Sequence, residues 1–207
     1  MKHTLPLSFL IVSTLLAYTG CTQKPSVQEE ILIPESIDIP IHTTENTPVK
    51  EISHPQTTGT SYHLRSIQGK TIDIIEGKTG FTFPQYEDKI VILEIFGKEC
   101  KYCMEELPVI SEIRRKYGEK VQVIAIQAEE PMSTSEYLTL KENFNMSYPI
   151  IERDVALNLL YSLRDIYGWT SVLPYVQVIK DGITQYQFPG QTSPKELKDA
   201  LSELTGY

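Results

Sequence analysis

Two largely apolar runs mark the centre of the chain, Ile90–Phe96 and Val121–Gln127. Such runs are typical of strands that are covered on both faces, so both are predicted to lie inside a sheet. Between them, apolar residues recur at helical spacing and stop before Gly118, which predicts a helix; these residues are Leu107, Ile110, Ile113 and Tyr117.

Similar patterns predict further elements on both sides: a hairpin of strands 71–75 and 81–84, a helix over 135–145, a short strand over 148–151, a helix capped by Asp154 and closed by Gly168, strands over 175–180 and 183–188, and a last helix opened by Ser193-Pro194. Asp181-Gly182 separates the last two strands, and this dipeptide is a strong hairpin signal. Helices between the early strands and a hairpin at the end predict one α/β domain over 64–207, with a mixed, mostly parallel sheet between helices.

Residues 1–20 have the pattern of a signal peptide. Lys2 gives a positive start, and the apolar run over 5–17 is about thirteen residues long, whereas a membrane span needs roughly 18. Small residues directly before Cys21 resemble a bacterial lipobox, although Tyr18 stands where that pattern prefers Leu. We predict a lipoprotein signal peptide over 1–20 and lipidation of Cys21; an ordinary cleaved signal is the alternative. A lipid anchor would hold the rest of the chain at a membrane of the cell envelope, facing the periplasm or another extracytoplasmic, oxidising compartment.

Residues 21–63 differ in composition from the domain that follows. They hold five of the thirteen prolines, many Thr, Ser and Glu residues, and no aromatic residue before Tyr62. We predict a flexible tether with an end-to-end distance on the order of 35 Å. Its sequence does not distinguish a functional leash from a plain spacer.

Composition and charge exclude several classes of protein. Apolar residues make up 41% of the 207 residues, which allows a sizeable core and excludes global disorder. The formal charge of −8 disfavours nucleic acid as a partner, because an acidic surface repels phosphate. Three cysteines are too few for a disulfide-stapled miniprotein or a Cys₄ zinc site.

Cys100 and Cys103 follow a predicted buried strand and open a predicted helix. The free N–H groups of a helix start stabilise a thiolate, and thiols in such settings have pKa values of roughly 3.5 to 7.5. This spacing and context predict a redox-active dithiol. A zinc half-site lacks further ligands, because the remaining cysteine is Cys21 and all four histidines lie at or before His63. A buried structural cysteine pair is the other alternative.

From here the chain resembles a known family, the TlpA/ResA-like branch of the thioredoxin superfamily, over residues 64–207. The resemblance rests on Cys100-Lys101-Tyr102-Cys103 after a buried strand, on Pro108 within the following helix, on Leu173-Pro174 before the last hairpin, and on the order of the elements. One departure is clear: Glu99 stands where the family usually has Trp before the first cysteine.

The resemblance implies a thioredoxin fold with an N-terminal β-hairpin extension and the activity of a membrane-tethered thiol-disulfide oxidoreductase. It implies that Cys100 attacks a substrate disulfide and that Cys103 resolves the mixed disulfide, with Glu94 exchanging a proton with Cys103. It also implies a cis peptide bond at Pro174 and substrate pairing with the main chain of Leu173. The implied partners are protein thiols and disulfides, the membrane through the anchor, and a membrane electron donor if the protein is a reductase; no cofactor or metal is implied.

Several alternatives stay open on the sequence. The resemblance favours the reducing direction, including delivery of electrons that keep apocytochrome thiols reduced in cytochrome c maturation, but a disulfide oxidase or isomerase has the same motif. A copper-delivery protein would want a histidine after His63, and a thiol peroxidase a Thr in place of Gly97. A binding module without turnover would not need both cysteines. For Glu94, the structural alternative is a strand-edge glutamate that reaches water or a lysine.

Overall fold

The structure is a computed structural model that describes residues 59–206. The signal peptide over 1–20, the lipidation site Cys21 and the tether up to residue 58 lie outside the described residues. Within residues 59–206, the helices are too short or too polar to cross a bilayer.

The described residues form strands and helices that we number in chain order. They are β1 (Ser61–Arg65), β2 (Thr71–Glu76), β3 (Phe81–Thr82), β4 (Ile90–Phe96), α1 (Lys101–Tyr117), β5 (Val121–Gln127), α2 (Thr134–Phe144), β6 (Ile150–Glu152), α3 (Arg153–Asp165), β7 (Tyr175–Lys180), β8 (Ile183–Pro189) and α4 (Pro194–Thr205).

A five-stranded sheet in the order β6-β5-β4-β7-β8 forms the centre of the domain. The β4–β5 and β5–β6 pairs are parallel, whereas the β4–β7 and β7–β8 pairs are antiparallel. The sheet is therefore mixed, as predicted, but the expectation that it is mostly parallel was wrong. The final hairpin adds to the free edge of β4 in the antiparallel direction and balances the two parallel pairs.

Two apolar cores lie on opposite faces of this sheet. On one face, residues of α1, α2 and α4 cover a core that includes Ile92, Phe96 and Cys103. On the other face, α3 and the N-terminal strands cover a core that includes Leu93 and Ile95. Because side chains alternate along a strand, Glu94 shares the α1 face with Ile92 and Phe96.

The N-terminal strands β1, β2 and β3 form a separate antiparallel sheet. The β2–β3 hairpin was predicted, but β1 was not, and it begins at Ser61, ahead of the predicted domain start at residue 64. Its alternation of buried Tyr62 and Leu64 with exposed neighbours gives only two apolar positions, which is a weak strand signal.

The last hairpin and helix confirm their sequence signals. Asp181 and Gly182 have φ values of 53° and 77°, the left-handed conformation that a two-residue hairpin turn requires. Ser193 caps α4 through its side chain, which accepts a hydrogen bond from the N–H of Glu196.

The predicted limits of α3 were wrong at both ends. Its N-cap is Glu152, because β6 runs directly into the helix and leaves Asp154 in the first turn. There the carboxylate of Asp154 complements the helix dipole instead of capping the helix. The helix ends at Asp165, before Gly168.

Candidate active site

Cys100 and Cys103 form a disulfide where β4 ends and α1 begins, and their Cα atoms are 5.2 Å apart. Cys100 is the N-cap residue of α1, and its Sγ accepts a hydrogen bond from the main-chain N–H of Cys103 at 3.2 Å. The same N–H groups and the helix dipole would stabilise a thiolate on Cys100 after reduction.

The two sulfur atoms differ in their access to solvent. Cys103 has no exposed surface, whereas Cys100 is half-buried. The Sγ of Cys103 accepts a hydrogen bond from the main-chain N–H of Gly97 at 3.4 Å. A disulfide that approaches from solvent therefore reaches Cys100 first, which matches the order of reaction expected from the family resemblance.

Glu129, which the sequence did not single out, braces the loop between β4 and α1. Its Oε2 accepts a hydrogen bond from the main-chain N–H of Glu99 at 2.8 Å. A Cβ atom on Gly97 would lie 2.3 Å from Glu129 Oε1, so any side chain at this position would displace the brace. A Thr at position 97, which a thiol peroxidase would want, would therefore require the Glu129 carboxylate to move away from the loop.

Lysine side chains near the dithiol are engaged elsewhere. The Lys98 ammonium donates to the Glu136 carboxylate at 2.7 Å and to the Pro131 carbonyl at 3.2 Å. Lys101 is exposed, and its nearest carboxylate is that of Glu105, 3.8 Å away. The positive charge of Lys98 is therefore largely compensated by Glu136.

Glu94 lies inside the domain, with no exposed surface. Neither carboxyl oxygen has a hydrogen-bond partner. Burial raises the pKa of Glu94 well above its ordinary value, the charge of Glu106 raises it further, and the nearby Tyr148 hydroxyl lowers it. The alternative of a strand-edge glutamate that reaches water or a lysine does not hold, because β4 is the central strand and Glu94 is enclosed.

Glu106 is a second buried carboxyl that sequence reasoning missed. It is 2% exposed, and its Oε1 accepts a hydrogen bond from the main-chain N–H of Thr192 at 3.0 Å. Burial raises the pKa of Glu106 to about 7, although the hydrogen bonds from Thr192 lower it. A signal existed: Glu106 lies three residues after Cys103 and four before Ile110, so it falls on the buried stripe of α1.

Leu173 and Pro174 lie directly before β7, and the peptide bond between them is cis, as the resemblance implied. Because Tyr175 pairs with Ile95 across the sheet, this loop reaches the end of β4 where the dithiol begins. The main-chain N–H and C=O groups of Leu173 make no hydrogen bond to other residues of the described range 59–206. Leu173 also lines a cleft of about 200 Å³ together with Leu157, Tyr161 and Trp169.

Comparisons with known proteins agree with this geometry, although no family model matches the chain. The thiol-disulfide oxidoreductase ResA of Bacillus thuringiensis is 26% identical over 147 residues, which cover 70% of this chain and 75% of ResA. The exposed lipoprotein thioredoxin of Streptococcus pneumoniae superposes with a TM-score of 0.50 at 19% identity, over 70% of this chain and 99% of that one. A secreted Mycobacterium tuberculosis disulfide oxidoreductase, homologous to E. coli DsbE, gives a TM-score of 0.51 at 13% identity, over 69% and 95% of the two chains.

The solved structures identify the fold as the thioredoxin fold, to which this chain adds the three-stranded N-terminal sheet. With its dithiol and its ResA relatives, the chain is a thioredoxin-like thiol-disulfide oxidoreductase, related to the ResA and DsbE proteins at low identity.

Proposed function

We propose that this oxidoreductase is anchored to a membrane of the cell envelope through a lipid on Cys21 and reduces disulfides of extracytoplasmic proteins. The chemistry is supported by the difference between the two sulfur atoms: Cys100 is half-buried at the helix start, and Cys103 is enclosed in the core on the face of the sheet that also carries the buried carboxyl of Glu94. Relatives that are named secreted or exposed lipoproteins support an extracytoplasmic location.

In this proposal the reaction has two steps. The Cys100 thiolate attacks a substrate disulfide, which forms a mixed disulfide and releases one substrate thiolate. The Cys103 sulfur then attacks the Cys100 sulfur, so the Cys100–Cys103 bond forms and the second substrate thiolate leaves. Two electrons pass from the dithiol to the substrate, and a membrane electron donor must restore the dithiol.

Glu94 supplies the base for the second step. Cys103 must lose its proton before it attacks, and no water reaches it directly because it has no exposed surface. The raised pKa of Glu94 makes its carboxylate a stronger base than an exposed glutamate and brings its proton affinity closer to that of a thiol.

The substrate binds as an extended polypeptide beside Leu173. The free main-chain groups of Leu173 are suited to pair with a substrate strand. The adjoining cleft, lined by Leu157, Tyr161 and Trp169, then receives an apolar side chain of that strand. Reduction of apocytochrome disulfides to thiols is one form of this activity.

The midpoint potential of the Cys100–Cys103 couple tests the direction of electron flow. We expect a value near or below roughly −250 mV, in the range of thioredoxin, when the protein is equilibrated with dithiothreitol buffers. A value near roughly −120 mV would make the protein an oxidase that introduces disulfides, and the reductase proposal would fail.

A Cys21→Ser variant tests the anchor separately. Wild-type protein is expected in the membrane fraction and to incorporate labelled fatty acid, because several acyl chains hold a protein almost permanently at a bilayer. The variant should lose the label and the firm attachment. Unlabelled wild-type protein would contradict the anchor without affecting the redox chemistry.

A further inference from the structure

Four buried side chains of β4, α1 and the segment before β6 carry oxygen atoms without hydrogen-bond partners. They are Glu94, Glu106, Ser111 and Tyr148, which we call the buried polar cluster; their exposed fractions are 0%, 2%, 8% and 2%. The atoms concerned are both oxygens of Glu94, one of Glu106, and the hydroxyls of Ser111 and Tyr148. Buried polar atoms in native proteins are nearly always satisfied, so such a group needs an explanation.

The sheet brings Glu94 and Tyr148 together. Glu94 is paired with Ala125 on β5, and the main-chain N–H of Ala125 donates to the carbonyl of Pro149, the residue after Tyr148. Ala125 shares the α1 face of the sheet with Glu94 and belongs to the core that also contains Tyr148. The Tyr148 hydroxyl is consequently close enough to Glu94 to lower its pKa, and Ser111 is close enough to Tyr148 to lower the pKa of the phenol. No direct hydrogen bond joins these groups.

Tyr148 also reaches a second feature, a cleft of about 490 Å³ near the far end of α1. We call it the basic cleft, because Lys70, Arg114 and Lys141 line it and none of its lining residues is acidic. Tyr148 belongs to both the buried polar cluster and the lining of the basic cleft. Tyr148 therefore lies between the enclosed carboxyl of Glu94 and the basic cleft, and its hydroxyl oxygen is itself buried.

The proposed mechanism requires a route for protons between Glu94 and solvent. In the proposed second step, Glu94 takes the proton of Cys103 and must lose it before the next cycle, but neither side chain is exposed. During that step the substrate covers the open side at Cys100. A route through the basic cleft avoids the substrate, and the positive side chains that line it disfavour retention of the proton.

We propose that Tyr148 is a positioning residue for Glu94: its hydroxyl, together with Ser111, orients the buried carboxyl and connects it through bound water to the basic cleft, so that protons enter and leave there. This inference rests on the proposed role of Glu94 in the function described above. A site with several polar partners is suited to hold water, and the buried polar cluster provides four.

The groups that act on Glu94 come from each packed element. From α1 this group is Glu106, and from the segment before β6 it is Tyr148; Cys103 lies in the core on the same face of the sheet. The paired positions on β5 and β7, Ala125 and Val176, carry no titratable group. As seen from Glu94, the positive side chains of the basic cleft lie beyond Tyr148. Tyr148 therefore separates the carboxyl from those charges.

The first test is an infrared titration of the Glu94 carboxyl in the full oxidised chain, with the band assigned by its loss in Glu94→Gln. In Tyr148→Phe the titration midpoint should rise, because the hydroxyl that favours the carboxylate is gone. Tyr117→Phe is the matched control: it removes another buried hydroxyl, which faces Ser202 at 3.4 Å, and should leave the midpoint unchanged. If Tyr148→Phe folds poorly, Ser111→Ala should raise the midpoint by a smaller amount. An unchanged midpoint in both Tyr148→Phe and Ser111→Ala would overturn the inference.

The second test is the rate at which Cys103 resolves a mixed disulfide with glutathione. Tyr148→Phe should slow this step about tenfold at neutral pH, the effect of losing one water-mediated hydrogen bond, and should move the inflection of the pH profile upward. A purely structural role would change stability and leave the inflection in place. The infrared titration needs no turnover, so a failure of the proposed function would appear in the wild-type exchange assay and not in the comparison of midpoints.

Discussion

Two buried glutamates, Glu76 at the end of β2 and Glu94 in the middle of β4, have opposite surroundings. Glu76 is 6% exposed, and both of its oxygens are bonded: the Tyr62 hydroxyl donates to Oε2 at 2.8 Å, and the Ser162 hydroxyl donates to Oε1. Glu94 is fully enclosed, and neither oxygen has a partner. The Glu76 carboxylate links β1, β2 and α3 through its hydrogen bonds. The Glu94 carboxyl links no elements, because it accepts no hydrogen bond.

This difference distinguishes the structural role of Glu76 from the chemical role that we propose for Glu94. A buried carboxylate that accepts two hydrogen bonds stabilises the fold by its charge. A buried carboxyl without donors is stable mainly in its protonated form, so it can take and release a proton when the state of its neighbours changes. Cys103 belongs to the core on the same face of the sheet, and in our proposal the dithiol is that neighbour.

Replacing either cysteine is expected to have the largest effect. These variants test whether the chemistry lies at the dithiol on the Glu94 side of the sheet and not near Glu76. Cys100→Ser should lose thiol-disulfide exchange completely, because the open nucleophile is gone. Cys103→Ser should accumulate mixed disulfides, since the second step is blocked. Both results can be read on non-reducing gels after alkylation of free thiols. Full exchange activity in Cys100→Ser would contradict the assignment of the two sulfurs.

The next effect concerns the pH dependence of stability at Glu106. Its pKa is about 7 in the folded protein against an ordinary value of 4.5, so the native state binds the proton more tightly. The corresponding stability is present below pH 4.5 and is lost between there and pH 7, a loss of about 3 kcal/mol. As the pH rises over this range, the free energy of unfolding of Glu106→Gln should therefore increase relative to that of the wild type. Urea unfolding from pH 4.5 to 8 measures the difference in the free energy of unfolding. If this free energy had the same pH dependence in both proteins, the prediction for Glu106 would be refuted.

A smaller effect distinguishes the two glutamates directly. Glu76→Gln should lower the free energy of unfolding by about 2 kcal/mol at pH 7, because charged hydrogen bonds from Tyr62 and Ser162 are lost. Glu94→Gln should not lower it, and at pH 8 should raise it, because an amide avoids the cost of a buried charge. Urea unfolding of both variants checks this. Equal destabilisation by the two changes would remove the distinction between the two sites.

Much of the central domain followed from local sequence patterns. The strand β4, the helix α1 and the Asp181-Gly182 hairpin are specified by residues close together in the chain, and their positions were confirmed. The start of α3 was wrong because Asp154 has the chemistry of a cap, while the actual N-cap, Glu152, is fixed by its place at the end of β6. Its side chain accepts a hydrogen bond from the N–H of Met132 instead of capping the helix.

The candidate site was only partly visible in the sequence. The dithiol and Glu94 stand out because a CxxC motif and a charge within an apolar strand are local signals. Tyr148 is far from Glu94 in the chain and comes close to it only through the β4–β5–β6 pairing. Its neighbourhood gave a short strand prediction and no sign of a functional hydroxyl, so the buried polar cluster required the fold.

The central claim is that Glu94 accepts the proton of Cys103. It is tested most directly by the pH profile of mixed-disulfide resolution, measured as glutathione release after a pH jump from acid-trapped protein. For the wild type we predict a rate that rises with an inflection well above the ordinary pKa of a glutamate. In Glu94→Gln the step should be about 100-fold slower at neutral pH and lack this inflection. Superimposable profiles for the two proteins would contradict the account.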